Sequence, residues 1–338
     1  MDYVSGEILT DSGFKKGYLG FEKNKIVARG KGNPPKRPIC KGLIVPSFVN
    51  AHTHIGDSFI GEKSIDLPKN VEELVAPPNG LKHKLLREAS NKDIIGGMEK
   101  SINIMIKNGS RYFCDFRENG LKGIDLLKAS LKNKNISCLI FSRPQNLRYE
   151  TKEVDLLLKE SNGFGISSIS DWDYSELKKV ALHVKRKNKL FAIHASECFR
   201  EDIDLILDLK PDFLVHMVFA SESDLVRVAD TGIPIVVCPR SNAFFGLKPN
   251  VELMKKVGVN ILIGTDNAML NSPSILDEII FFNKMFKGFS TEELLYKVTF
   301  ASRKALNLDY DILGSNSPTD FVVLDGKRLN TLYISTYK

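Results

Sequence analysis

The side chains able to do chemistry in this sequence are few, and they fall in a pattern. There are six histidines in 338 residues. His52 and His54 form a His-x-His that closes the apolar run 45–54, His194 closes 190–194, and His216 closes 213–216. Asp266 closes a further run, 261–266, while His83 and His183 fall in a loop and on a helix-like stretch. Residues two apart on a strand point the same way, so His52 and His54 can aim at one point. Imidazole nitrogens from His52, His54 and His194 with a carboxylate oxygen from Asp266 suit one divalent first-row ion, Zn²⁺ in first place and Fe²⁺ in second, with room for a water. A single histidine at a strand end is more often structural. Four of the six at strand ends, joined by an aspartate, are expected to share a ligand.

The elements that must position these residues alternate. Apolar runs end near His52, Phe116, Phe141, Ile169, His194, His216, Cys238 and Thr265. Between most of them lie stretches with helical spacing, such as 93–107, 121–131, 174–184 and 223–229. Buried strands separated by amphipathic helices imply a parallel sheet, and eight such units suggest a closed, TIM-like (β/α)8 barrel. The C-terminal ends of its strands then meet on one face, where barrel enzymes hold their active sites.

Before the barrel, two short strands around polar turns read as a hairpin, followed by a Pro- and Gly-containing connector over 30–38. Near the other end, Ser290 and Glu293 have the form of a capping box, and 321–324 reads as a strand able to return to the hairpin. The expected fold class is therefore α/β. A small composite, β-sandwich-like domain (1–43 and 315–338) accompanies a barrel domain (44–314).

Composition narrows the class. The chain is 43% hydrophobic and 26% charged, with 24 Gly and 14 Pro, which excludes disordered, collagen-like and coiled-coil proteins. Forty-eight Lys+Arg against 41 Asp+Glu leave a net charge of +7, which permits an anionic substrate without demanding nucleic acid. The Lys-rich stretch 185–189 reads as a solvated helix face. No apolar run approaches a bilayer span, and residues 1–7 lack the basic start and apolar run of a secretory signal. The five cysteines are scattered without a Cys-x-x-Cys pair, which fits reduced thiols. A cytoplasmic protein is expected, with no membrane or nucleic-acid partner; a homo-oligomer is left open. Gly163-Phe164-Gly165 lacks a third glycine, which removes a dinucleotide-binding reading.

At these residues the chain resembles the amidohydrolase superfamily of metal-dependent barrel hydrolases. The matching segments are Pro46-Ser47-Phe48-Val49-Asn50-Ala51-His52-Thr53-His54, the histidines on the fifth and sixth strands, and Gly264-Thr265-Asp266. Ala301-Ser302-Arg303-Lys304-Ala305-Leu306 followed by Asp320-Phe321-Val322-Val323-Leu324-Asp325 is similar to the family's return to its small domain. His194-Ala195-Ser196-Glu197 and Cys238-Pro239-Arg240-Ser241-Asn242 resemble the branch that deaminates nucleobases and related heterocycles. The fourth strand region, 163–170, carries neither the bridging lysine nor the glutamate of binuclear members, so the resemblance implies one metal.

The resemblance also implies roles. A bound ion lowers the pKa of water from about 16 towards ~7. Asp266 would take the proton, and His216 would orient the nucleophile from just outside the metal. Glu197 would shuttle protons to the ring and the leaving amine, an effect of ~10²–10⁴-fold. On spacing alone, Glu197 is equally a surface carboxylate opening a helix.

Loops after the strands nominate Arg117 with Glu118, Arg143 with Gln145 and Asn146, Trp172, Arg240 with Asn242, and Asn267 as contacts to a small heterocyclic substrate. Each arginine has the alternative of pairing with a neighbouring carboxylate. The long segment 61–84 reads as a lid. An aminohydrolase releasing ammonia is the expected activity. Hydrolysis of a cyclic amide or chloro-substituted ring, and a metal-binding barrel without catalysis, are the alternatives.

Overall fold

The computed structural model describes residues 1–309 and 312–335. The first strands are β1 (Asp2–Thr10), β2 (Gly13–Glu22) and β3 (Lys25–Gly30), and β4 (Cys40–Pro46) follows the connector. The turns between them are built locally. Thr10 Oγ1 donates to the Gly13 carbonyl at 2.7 Å, and Lys23 and Asn24 both take positive φ.

The barrel strands are β5 (Phe48–His54), β6 (Ser110–Phe116), β7 (Ser137–Ser142), β8 (Gly163–Ile166), β9 (Leu190–Ala195), β10 (Phe213–His216), β11 (Ile235–Val237), β12 (Ile261–Ile263) and β13 (Asp266–Asn267). Two strands, β14 (Phe321–Leu324) and β15 (Thr331–Ile334), complete the described chain. The last three residues of the expected return segment, 336–338, lie outside the described residues, as do 310 and 311.

Two sheets result. One is a six-stranded mixed sheet in the order β15-β14-β4-β1-β2-β3, so both ends of the chain share it. The other runs β12-β11-β10-β9-β8-β7-β6-β5-β13, with every pair parallel. Because β12 and β13 are two pieces of one eighth strand, that order closes on itself as the TIM-like barrel. The Thr265 amide donates to the His52 carbonyl at 3.0 Å and the Gly264 amide to the Val237 carbonyl at 3.0 Å, which carries the strand from one neighbour to the other. Gly264 has to be glycine here, since a Cβ would stand 2.7 Å from His52 Cβ.

Strand alternation divides the core. Val49, Ala51, Phe116, Phe141, Phe213 and Leu262 point inward into one cluster, where Phe116 and Phe141 stack at 5.1 Å. The other faces of the strands meet the helices. The helix Asn91–Lys107 shows why: Ile94, Met98, Ile102 and Met105 recur on one face and are buried, and Ser90 caps the start by accepting from the Asp93 amide.

Three sequence expectations are corrected. His83, read as a loop residue, lies on the helix Leu81–Glu88. The apolar run 45–54 is two strands in two sheets, because Val45 and Pro46 pair with β14 while Phe48 starts β5. The fourth barrel strand ends at Ile166, and 169–171 is a 3₁₀ turn. The helices expected at 93–107, 121–131, 174–184 and 223–229 are present within two residues at most ends, and the capping box at Ser290 and Glu293 is formed. A further helix, Thr151–Glu160, was not among those singled out in the sequence.

Arg303 joins the two sheets. It is fully buried, donates to Asp320 Oδ2 at 2.6 Å and to the Ser47 carbonyl at 3.1 Å, and lies over Tyr112 with its guanidinium carbon 4.9 Å from the ring centre. Removing one partner of such a pair leaves the other uncompensated. Arg303→Ala should destabilise the chain by about 3 kcal/mol in urea unfolding, and a variant as stable as the parent would show that the pair does not hold the sheets together.

Candidate metal centre

The C-terminal ends of β5, β9, β10 and β13 deliver the candidate residues to one face. His52 and His54 project from β5. His52 Nε2 lies 3.2 Å from His194 Nε2 and 3.3 Å from Asp266 Oδ1. His54 Nε2 lies 3.3 Å from His194 Nε2 and 3.6 Å from the same Asp266 oxygen. The register that does this pairs Asp266 with Thr53 and Asn267 with His54. His216 joins the group: ligand atoms of His52, His194, His216 and Asp266 all lie within 4.8 Å of one another.

Hydrogen bonding on the outer side of three of the rings fixes what the inner nitrogen offers, while His52 Nδ1 is buried without a partner. His194 Nδ1 is 2.8 Å from the Ile166 carbonyl, which can only accept. His54 Nδ1 is 3.1 Å from Glu118 Oε1, again an acceptor. Both rings therefore carry their proton on Nδ1 and turn a bare lone pair inward on Nε2. Two lone pairs 3.3 Å apart make no hydrogen bond; a cation between them is what such a donor set fits. Three imidazole nitrogens and one carboxylate oxygen match the ligand chemistry of a divalent first-row metal. His216 differs, because Asn242 Nδ2 stands 3.2 Å from its Nδ1 and donates to it. The proton of that ring then sits on Nε2, 3.5 Å from Glu197 Oε1.

Burial separates the carboxylates. It pushes Asp266 up, but the hydrogen bond with His52 and the His216 imidazole outweigh it and hold the carboxyl well below its usual range. Ser241 Oγ also donates to Asp266 Oδ2. Glu197 meets only His216 Nε2, at 3.5 Å, and burial with the negative charge of Asp266 pushes it up to about 8. One acid is thus ionised and its neighbour protonated at neutral pH, the condition under which a base and an acid can coexist in one site. Burial, then the Lys82 ammonium, lowers His54 to about 3.

A cavity of about 480 Å³ opens over these groups, with His54, Glu118, Arg143, Glu197, His216 and Asn267 in its wall. The segment 61–84 contributes Val71, Val75, Pro77, Lys82 and His83 to the same wall. Of the residues nominated from the loops, Arg143, Glu118 and Asn267 face the cavity. Arg143 has no hydrogen bond or ion pair among the described residues.

The others are engaged elsewhere. Arg240 is tied to Glu278 Oε2 at 2.6 Å and to the Ser272 carbonyl, Arg117 is tied to Asp115 and Glu118, and Asn242 faces His216. Trp172 is buried with its Nε1 unpartnered and Gln145 is exposed; neither lines this cavity. The arginines are consumed by carboxylates that a linear reading does not place beside them.

Lys82 was missed, since nothing in its local sequence marks it. It is 2% exposed and stands 2.7 Å from Glu118 Oε1 and 3.3 Å from Asp57 Oδ2. Asp115 carried a readable signal, a carboxylate among the apolar and aromatic residues that end its strand.

The amidohydrolase family model matches residues 43–337. An uncharacterized protein of Methanocaldococcus jannaschii is 36% identical over 325 residues, covering 90% of this chain and 81% of that protein. A 5-methylthioadenosine/S-adenosylhomocysteine deaminase of Caldicellulosiruptor saccharolyticus is 27% identical, covering 86% of this chain and 73% of that one. Among solved structures, an adenosine deaminase from Xanthomonas campestris with bound zinc superposes with a TM-score of 0.74 at 17% identity, covering 96% of this chain and 84% of that one.

Two outcomes are expected of the purified protein. His194→Ala should lose its metal by elemental analysis, and full occupancy would remove that residue from the ligand set. Exposed imidazoles protonate near pH ~6.5. Because burial keeps the His54 ring neutral well below that, the fraction of chains holding zinc should stay constant from pH 7 to about 5.5.

Proposed function

This chain belongs to the amidohydrolase family, and from that premise we propose that it is a metal-dependent aminohydrolase that replaces an exocyclic amino group on a purine, pyrimidine or related heterocycle by oxygen, releasing ammonia. The observation that carries this reading is the pair of inward lone pairs on His54 and His194 with Asp266 beside them, under a cavity walled by Glu197. His52, His54, His194 and Asp266 would hold one divalent cation, with zinc the first choice. Such an ion acidifies water and so supplies a nucleophile at neutral pH.

The remaining steps belong to the chain's own residues. Asp266, kept ionised, takes a proton from the attacking water. His216, with its proton on Nε2, orients the attacking oxygen by donating to it. Glu197, protonated at neutral pH, gives its proton to the ring nitrogen next to the carbon under attack, which makes that carbon electrophilic. The Glu197 carboxylate left behind takes the proton of the newly added hydroxyl and passes it to the departing amine, and the proton held by Asp266 then restores the Glu197 acid. Water adds one oxygen and two hydrogens across the carbon–nitrogen bond, and ammonia leaves with the bond pair.

The cavity volume suits a nucleoside-sized ligand. Within it Arg143 and Asn267 are proposed to meet the substrate, and the unpaired guanidinium of Arg143 is placed for an anionic or acceptor substituent. The name of the Caldicellulosiruptor relative puts adenine nucleosides first in a substrate screen.

The screen reads ammonia release across adenine nucleosides, free bases, pterins and pyrimidines. Chloride release from halogenated rings, or ring opening of cyclic amides without ammonia, would replace the deaminase reading. Glu197→Gln should keep about one metal per chain and lose at least ~10²-fold in kcat; unchanged turnover would remove its proton-transfer role. Two metals per chain in the parent would overturn the single-ion assignment.

A further inference from the structure

We propose that Glu118 is a positioning residue for the metal centre: its carboxylate orients His54, and Lys82, brought in by the helix Leu81–Glu88, holds that carboxylate in place. The inference rests on the reading of His54 as a ligand. A ring that is to present Nε2 must have its Nδ1 proton engaged, and carboxylates that accept such protons raise the basicity of the ligand and fix the ring plane. Glu118 Oε1 is the acceptor, at 3.1 Å from His54 Nδ1.

The same oxygen receives the Lys82 ammonium at 2.7 Å, and Glu118 Oε2 receives Arg117 Nη2. Arg117 turns its other arm to Asp115 Oδ2 at 2.8 Å. Asp115 Oδ1 in turn accepts the Ile55 amide at 2.7 Å and the Thr53 hydroxyl at 3.1 Å. Asp115 thus fixes residues on both sides of His54 while Glu118 fixes the ring, and Arg117 ties the two carboxylates together. Gly56 makes room for this, since a Cβ there would stand 2.1 Å from Arg117 Nη2.

Lys82 adds a second consequence. Its Nζ also donates to Asn267 Oδ1 at 2.9 Å, and its side chain is almost fully buried. It belongs to the segment that walls the cavity, so the element covering the substrate space and the residue orienting a ligand are joined by one ammonium. Burying two cations, Lys82 and Arg117, together with carboxylates is costly unless each is paired. Here the pairing follows a route that ends on a metal-facing ring rather than on the surface.

The test is zinc affinity, measured by competition with a chromophoric chelator on folded protein at constant pH. Glu118→Ala is expected to bind zinc roughly 10–100-fold more weakly and, loaded with Co²⁺, to show an altered visible absorption band. Glu118→Gln, which keeps the shape and an acceptor oxygen, is expected to fall between Glu118→Ala and the parent. Lys82→Met is expected to weaken zinc in the same direction by a smaller factor.

Parent-like affinity and an unaltered Co²⁺ band in folded Glu118→Ala would overturn the proposal, and parent-like affinity in Lys82→Met would overturn its lysine arm. His54→Ala separates the two readings. If that variant keeps parent affinity, the ligand assignment itself has failed. If it loses zinc while Glu118→Ala does not, only the positioning role has.

Discussion

Everything above the barrel mouth depends on imidazole nitrogens forced to face one another with no proton between them. The Ile166 carbonyl and the Glu118 carboxylate each claim the outer proton of a ring, and so leave His194 and His54 with lone pairs 3.3 Å apart. A buried polar interior ordinarily pairs every acceptor with a donor. The arrangement persists because the surrounding barrel imposes it. Backbone conformations at the same rim bear the mark of that imposition: Ser196, His216, Met217 and Asp266 are all non-glycine residues with positive φ. Each such position costs on the order of 1–3 kcal/mol, which the packed layers of strands and helices below must offset.

The same burial that sharpens the nitrogen cluster sets the acids apart. Asp266 accepts from the Ser241 hydroxyl, lies beside the His52 and His216 rings, and stays charged. Glu197 sees mainly low dielectric and a neighbouring negative charge, and holds its proton. Two carboxyl groups on one rim can therefore play opposite parts without any change in residue type. Which part each plays is written in the partners that reach it, and those come from different strands.

That distinction also explains what the sequence could and could not disclose. The barrel was legible because apolar runs and helical spacing alternate, and because histidines and an aspartate closed several of the runs. The strands carrying His52, His54, His194, His216 and Asp266 converge as their positions implied. The partition of 45–54 was hidden because the change of sheet falls at the single residue Ser47, between Pro46 paired with β14 and Phe48 opening β5, so two strands read as one. Arg117 and Arg240 looked like loop arginines reaching for substrate. Their carboxylate partners, Asp115 and Glu118 for one and Glu278 for the other, are fixed by the fold, and local sequence carries no rule for choosing between a partner and a ligand. Lys82 escaped notice for a related reason, since an ordinary amphipathic helix delivers it to a buried destination that only tertiary packing defines.

The divided eighth strand has one more effect. Thr265 and Asp266 are the residues that weld the last strand to the first, at the backbone of His52 and Thr53. A nascent polypeptide leaves the ribosome in order, with His52 and His54 early and Asp266 late. Sealing the cylinder and bringing Asp266 to the histidines are consequently a single event, and no shorter growing intermediate owns the whole set of donors. Gathering the donors before the barrel is complete is disfavoured by the topology itself.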